Sequence, residues 1–374
     1  MAEPAYLDYQ ATTPLAPEAF EAMVPLLRDQ FGNPHSAHRM GRQAAAVVEA
    51  ARDAILAALA MPGGRFVFTS GATEALNIAI QGAARAAPPD RRRIVTIVTE
   101  HAAVRDTVLA LEPMGFEAVL LPVGPDGLVD PATAAMEIDG RTALVAVMAV
   151  NNEIGVIQPV DALARLAADA GVPFLCDAVQ GFGRVPLPQA ADMIAVSAHK
   201  VHGPKGIGGL WLRDGFDLPP LMHGGGQEGG LRSGTLSPAL CAGFGAAAAL
   251  LRDRRGEDAA HVAMLWDRAQ GLFADWTVNG SRTHRYPGNL NVRREGLDAA
   301  RLLSECRNVS FSLGSACASG SGRPSHVLQA LGLSQKEARS SVRIGFGRYT
   351  TPEELERAAK AINEAAARQL VLPA

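Results

Sequence analysis

Lysine is nearly absent from this chain. Lys200, Lys205, Lys336 and Lys360 are the only four in 374 residues, and arginine supplies the rest of the side-chain positive charge. Cysteine is equally sparse, with four residues at no regular spacing, which argues against a disulfide framework and against a structural zinc site. No apolar run is long enough to cross a bilayer, since alanine-rich stretches such as 246–251 are soon interrupted by charge. The opening residues, MAEPAYLDYQ, hold neither the basic segment nor the apolar one that begins a secretory signal. A net charge of −3 offers no general attraction to nucleic acid or to a membrane surface. The expectation is a soluble, cytoplasmic protein with no nucleic-acid or membrane partner. Its length suggests two domains, and a 48% hydrophobic composition supplies ample core.

Two of the four lysines lie in one stretch, IAVSAHKVHGPKGIGGL (194–210). Arginine can replace lysine on most solvated faces, but it cannot form an imine with an aldehyde. Lys200, at the end of an apolar run beside a serine and a histidine, is therefore a candidate Schiff-base residue; a surface-loop lysine is the alternative. Just upstream, VPFLCDAVQ (172–180) is an apolar strand ending in Asp177, with Gln180 three residues on. A carboxylate at a buried strand end is costly unless something positive pairs with it. In pyridoxal phosphate (PLP) enzymes that partner is the protonated pyridine nitrogen, which keeps the ring an electron sink, and a nearby amide can donate to the ring hydroxyl. Asp177 alone also reads as a helix N-cap. The order strand, Asp, Gln, strand, Ser-x-His-Lys is far less common.

From Arg65 the chain alternates short β-branched runs with helical stretches: 66–69, 94–98, 118–121, 143–148, 173–176, 193–196 and 210–212 read as strands. Near-continuous hydrophobic strands separated by helices predict a parallel or mixed sheet covered on both faces, which binds ligands beyond the strand C-terminal ends. Polar residues collect there: 69–74, Glu100-His101, Asn151-Asn152-Glu153, Asp177 and Ser197. SGATEALNIAI (70–80) is a glycine turn opening a helix, an anion site made from free N–H groups, Thr73 Oγ and the helix dipole, or simply a cap. That stretch is neither a Walker loop nor a GxGxxG turn. His35 and His38 sit three apart with no Cys, Asp or Glu near, which favours a loop lining a site over a metal centre. MHGGGQEGGLRSGT (222–235) reads either as backbone passing close to a ligand, with Thr235 offering a hydroxyl, or as a surface loop. A helix over 238–254 and then charged RDRRGED mark a domain boundary. Beyond it, strands in FADWTVNG, NLNV and VSFSL and helices near 297–307, 323–331 and 352–370 predict a smaller α+β domain completed by the N-terminal residues. Cys317 is the one cysteine set among glycines and serines (312–322), where a reactive thiol belongs, whereas Cys176, Cys241 and Cys306 read as small core residues. Arg343, on a strand expected in SSVRIGFGR, can clamp a carboxylate or form an ordinary ion pair.

Together YLDYQATTP, FGNPHSAH, VFTSGATEALNIAI, TEHAAV, VNNEIGVIQP, DAVQ, SAHKVHGPKGIGGLW, HGGGQEGGLRSGT, GSACASG and SSVRIGFGR run nearly end to end. In these stretches the chain closely resembles the cysteine desulfurases, NifS/IscS-like members of class V of the PLP-dependent aminotransferases. The longer GSAC loop resembles that of the subgroup serving iron–sulfur assembly. The resemblance implies a fold-type I α/β architecture: a large PLP-binding domain (12–253) with a mostly parallel seven-stranded sheet, and a small α+β domain (1–11 with 254–374) carrying the cysteine loop. It implies that Lys200 holds PLP and acts as the base, Asp177 pairs with the ring nitrogen, Gln180 contacts the ring hydroxyl, and His101 stacks on the ring and shuttles protons. Ala72, Thr73, Ser197 and His199 would bind the phosphate, joined by Thr235 from the partner subunit of a homodimer. Asn152 and Arg343 would hold the carboxylate of L-cysteine, and Cys317 would take its sulfur as a persulfide. The implied sulfur acceptor is a protein such as an iron–sulfur scaffold, although the chain ends at Leu-Pro-Ala, short of the tail that housekeeping members use to dock one. Gln10 stands where Ser or Asn is more usual, a change expected to be tolerated. The same scaffold serves aminotransferases and selenocysteine lyases, and delivery of sulfur through Cys317 separates them.

Overall fold

In the computed structural model, which describes residues 4–314 and 325–371, the strands fall into three sheets. In chain order they are β1 (Ala5–Tyr6), β2 (Arg65–Thr69), β3 (Arg93–Ile97), β4 (Glu117–Leu121), β5 (Thr142–Met148), β6 (Phe174–Asp177), β7 (Met193–Ser197) and β8 (Gly208–Leu212), then β9 (Thr277–Val278), β10 (Asn289–Arg293), β11 (Val309–Ser310), β12 (Ser312–Leu313) and β13 (Ser341–Gly345). The large sheet runs β2-β8-β7-β6-β5-β3-β4 and is parallel except for β8, which is antiparallel to both its neighbours. This is the mostly parallel seven-stranded sheet that the resemblance implies, and each of the seven apolar runs supplies one of its strands.

Side chains alternate between its faces, as a pleat of period two requires. Phe66, Phe68, Val145, Val147, Phe174, Cys176, Ile194 and Val196 join one apolar core, while Val67, Leu144, Ala146, Leu175, Met193 and Ala195 join the other. Helices α1 (Pro17–Arg28), α2 (Arg39–Leu59), α3 (Ala72–Ala86) and α4 (Ala102–Leu109) are the first four. The face of α2 bearing Val48, Ala51, Ile55 and Leu59 packs into the first core, and α3 and α4 fill the second. His38 caps α2, its Nδ1 accepting from Gly41 N at 3.2 Å, so this histidine of the early pair serves the helix end. Only glycine fits at 41, because a Cβ would stand 2.1 Å from Ser36 O.

A four-stranded antiparallel sheet, β12-β13-β10-β9, has a separate core that includes Ala5 and Leu7 from the N-terminus. Here the sequence expectations need two corrections. VSFSL is two strands: β11 pairs with β1, and β12 pairs with β13, because Phe311 turns into the core between them. FADWTVNG contributes only Thr277–Val278, since Phe273 and Trp276 are spent on a buried turn. Within the charged RDRRGED segment, expected as a domain boundary, helices Pro238–Asp253 and Arg255–Leu272 meet. The second was unexpected, because only Val262, Leu265 and Ala269 of its residues are buried and its start is charged.

Candidate active site

The carboxyl ends of β2, β5, β6 and β7 open into a cavity of about 460 Å³. Ala72, Thr73, His101, Asn152, Asp177, Gln180, Ser197, His199, Lys200 and Arg343 all line it. Residues from six separated stretches of sequence are thus brought together. Thr235 is not among them; it is exposed on the loop before the helix Pro238–Asp253. Cys317 lies outside the described residues.

β7 ends at buried Ser197, and one tight turn, Ala198–Lys200, carries the lysine into the cavity. Lys200 Nζ donates to Gln10 O at 2.6 Å and Ala11 O at 2.8 Å, so the turn that follows β1 helps set where the amine stands. Arg184 Nη2 holds the lysine's own carbonyl at 2.5 Å. Asp177 ends β6 in register with Met148 and Ala195. Its burial pushes the carboxyl pKa up, against the N–H of Val179 and the charges of His101 and Lys200. Among the described residues it forms no ion pair. A buried, unpaired carboxylate at the floor of a cavity of this size fits a protonated pyridine nitrogen, and with it PLP. Gln180 is engaged at both ends, donating to Gln10 O at 2.9 Å and accepting from Arg184 at 2.7 Å.

His101 caps α4, its Nδ1 accepting from Ala103 N at 3.1 Å, which leaves Nε2 to carry the ring proton. His199 contacts Thr12 Oγ1 at 3.2 Å, and burial, with Lys200 and Lys205 nearby, lowers its pKa to about 4. It is therefore neutral at pH 7. At the start of α3, Ser70 N donates to Glu74 at 2.6 Å, and Arg232 of the glycine-rich loop pairs with the same carboxylate at 2.7 Å. Arg343 is buried; of its two sequence readings the ion pair is present, with Asp8 at 2.6 Å. Gln10 is buried, its Nε2 on Gly288 O at 2.8 Å.

Cys176, Cys241 and Cys306 are buried, and burial raises each thiol pKa, that of Cys241 to about 12. They are the core residues expected. Two acids beside the cavity escaped a specific role in the sequence. Burial, reinforced by Asp177, pushes Glu100 far above the usual carboxyl range, and its Oε2 has no hydrogen-bond partner among the described residues. Burial also raises Glu153 to about 7, although Ser325 donates to it at 2.5 Å. Both lie in the polar clusters at strand ends, but burial of an individual carboxyl leaves no local signal. Among the described residues no group of three or more His, Cys, Asp or Glu is placed to hold a metal.

The aminotransferase class-V family model matches residues 5–358. Cysteine desulfurase IscS of Rickettsia bellii is 41% identical over 369 residues, covering 96% of this chain and 90% of that protein. A solved NifS-like protein superposes with a TM-score of 0.91 at 32% identity, over 98% of this chain and all of that one. SspA, solved in complex with cysteine, gives a TM-score of 0.83 at 35% identity, over 93% of this chain and all of that one. The architecture is that of the fold-type I PLP enzymes. Matched along nearly its whole length, the chain belongs to the class-V aminotransferase family, among its NifS/IscS-like cysteine desulfurases.

Proposed function

We propose that this protein removes sulfur from L-cysteine, releases L-alanine, and carries the sulfur as a persulfide on Cys317 to an acceptor protein in iron–sulfur cluster assembly. The observation that carries the reading is the meeting of Lys200 and a buried Asp177 without an ion pair among the described residues in one cavity. Lys200 would hold PLP, Asp177 would keep its pyridine nitrogen protonated, Gln180 would contact the ring hydroxyl, and His101 would stack on the ring. Ala72, Thr73, Ser197 and His199 would bind the phosphate; a neutral His199 offers it an N–H rather than a charge. Bound PLP supplies an electron sink that weakens bonds at the substrate Cα and Cβ.

The chain's own groups do the rest. Asn152 and Arg343 hold the substrate carboxylate and fix its orientation. Lys200 Nζ takes the Cα proton, a contribution of roughly 10²–10⁴-fold for a positioned base. The Cys317 thiolate attacks the substrate sulfur, forming an S–S bond as the C–S bond breaks. An ordinary thiol, with a pKa of about 8.5, is mostly protonated at pH 7, so its proton must be removed first. His101, at the cavity wall, would shuttle protons there.

The reading also includes a homodimer, in which Thr235 reaches the neighbouring subunit's phosphate site, and a cytoplasmic setting. It divides the chain into a large domain, 12–253, and a small one, 1–11 with 254–374; the separate apolar core that takes in Ala5 and Leu7 supports this. The test is L-alanine release from L-cysteine by the PLP-loaded protein, measured by amino-acid analysis. Wild type is expected to turn over, and Lys200→Ala to lose roughly 10²–10⁴-fold. No alanine from wild type, or the wild-type rate from Lys200→Ala, would contradict the reading.

A further inference from the structure

The guanidinium of Arg343 already has a carboxylate. Its Nη2 donates to Asp8 Oδ1 at 2.6 Å and to Ser312 Oγ at 3.1 Å, while Nη1 donates to Asn152 O at 3.0 Å. Nε is buried and has no hydrogen-bond partner among the described residues. The sheet register builds this arrangement. Ser312 of β12 stands opposite Arg343 of β13, and Asp8 bridges to Gly345, two residues further along the same strand. Ser312 Oγ also donates to Asp8 Oδ1 at 2.8 Å. The Arg343 side chain is 1% exposed against 19% for Asp8, and Asp8 is its only ion-pair partner among the described residues.

We propose that Asp8 is a positioning residue, the resident counter-ion of Arg343, which holds the guanidinium in the empty site and competes with the substrate carboxylate for it. The inference rests on the reading of Arg343 as a carboxylate-binding residue. A buried guanidinium stripped of its counter-ion is costly, so Arg343 needs a partner before substrate arrives and after product leaves. With Asp8 in place, an incoming carboxylate meets an arginine whose charge is already partly neutralised and whose Nη2 is taken. Its hold on that carboxylate is correspondingly weaker. Substrate and product share the carboxylate, so the weakening applies to L-cysteine and L-alanine alike, and it favours product release. Uniform binding of this kind changes KM without raising kcat.

Asp8→Asn tests this, because asparagine keeps an oxygen for Arg343 and Ser312 while losing the charge. The inhibition constant of L-alanine against L-cysteine is expected to fall about tenfold, with KM for L-cysteine falling in the same direction and no gain in kcat. A merely loosened site would raise both constants. Arg343→Ala is the control and is expected to raise both. If Arg343→Ala changes neither, the carboxylate role of Arg343 fails and that of Asp8 fails with it. If Arg343→Ala raises both while Asp8→Asn leaves the alanine constant unchanged or higher, the role of Asp8 alone is overturned. Asp8→Ser replaces Asp8→Asn should the latter not fold, with the same expectation. Failure of both to fold, while Ser312→Ala folds normally, would make Asp8 a determinant of folding and overturn the inference.

Discussion

Glu153 shows how a single side chain at the cavity edge couples to pH. Burial raises its pKa from the usual 4.5 to about 7, against the hydrogen bond from Ser325 and the charges of Arg343 and His101. Between these two values the native state keeps a proton that the unfolded chain has lost, so stability falls as pH rises through that window. Glu153→Gln keeps an oxygen to accept from Ser325 Oγ and cannot ionise. Relative to wild type, the variant is expected to gain about 2–3 kcal/mol between pH 5 and pH 8, read from urea midpoints at the two pH values. A difference that does not change with pH would contradict the burial argument. Lys200 and Asp177 were legible in the sequence because each breaks a local expectation: one is a rare residue type, the other a charge ending an apolar strand. Glu100, Glu153 and Asp8 were not singled out, since what matters about them is burial or a partner hundreds of residues away.

Among the elements, the glycine-rich loop 222–235 was the most ambiguous in sequence, and two anchors now define it. Glu228, whose side chain is 3% exposed, pairs with Arg52 at 2.9 Å and accepts from Phe68 N at 2.6 Å. Arg232 pairs with Glu74 at the start of α3. Two ion pairs on a glycine-rich segment hold its base against the large sheet and leave Thr235 exposed beyond them. Such a loop is suited to reaching a neighbouring molecule, and large exposed apolar side chains on α1 and the segment after it (Phe20, Leu27, Phe31) offer surface for one. Light scattering of the PLP-loaded, active protein is expected to give the mass of two chains; an active monomer would refute the dimer. The strands of the large sheet were legible because fully buried parallel strands read as unbroken apolar runs. The helix Arg255–Leu272 was not, since a helix with few buried positions and a charged start lacks that signal.

At the scale of the whole molecule, the cavity takes Lys200, Asp177, Ser197 and the start of α3 from the large sheet and Arg343 from the antiparallel one. The N-terminal segment joins them, reaching Lys200 through Gln10 and Ala11 and Arg343 through Asp8. The motifs told which residues belong to a site, and the alternation of strands and helices told where ligands bind. How the two sheets face each other was beyond local pattern, because it follows from long-range packing. The central claim is that sulfur leaves L-cysteine through one thiol, and Cys317→Ser tests it most directly. Serine removes the sulfur nucleophile with little change in bulk and leaves Lys200, Asp177, Asn152 and Arg343 in place. Wild type and variant, each loaded with PLP, would be given L-cysteine, and alanine release followed alongside the mass of the peptide carrying residue 317. The wild-type peptide is expected to gain one sulfur atom as alanine appears, while the variant still binds PLP, gains no sulfur and releases almost no alanine. Alanine released by Cys317→Ser at the wild-type rate would contradict the account.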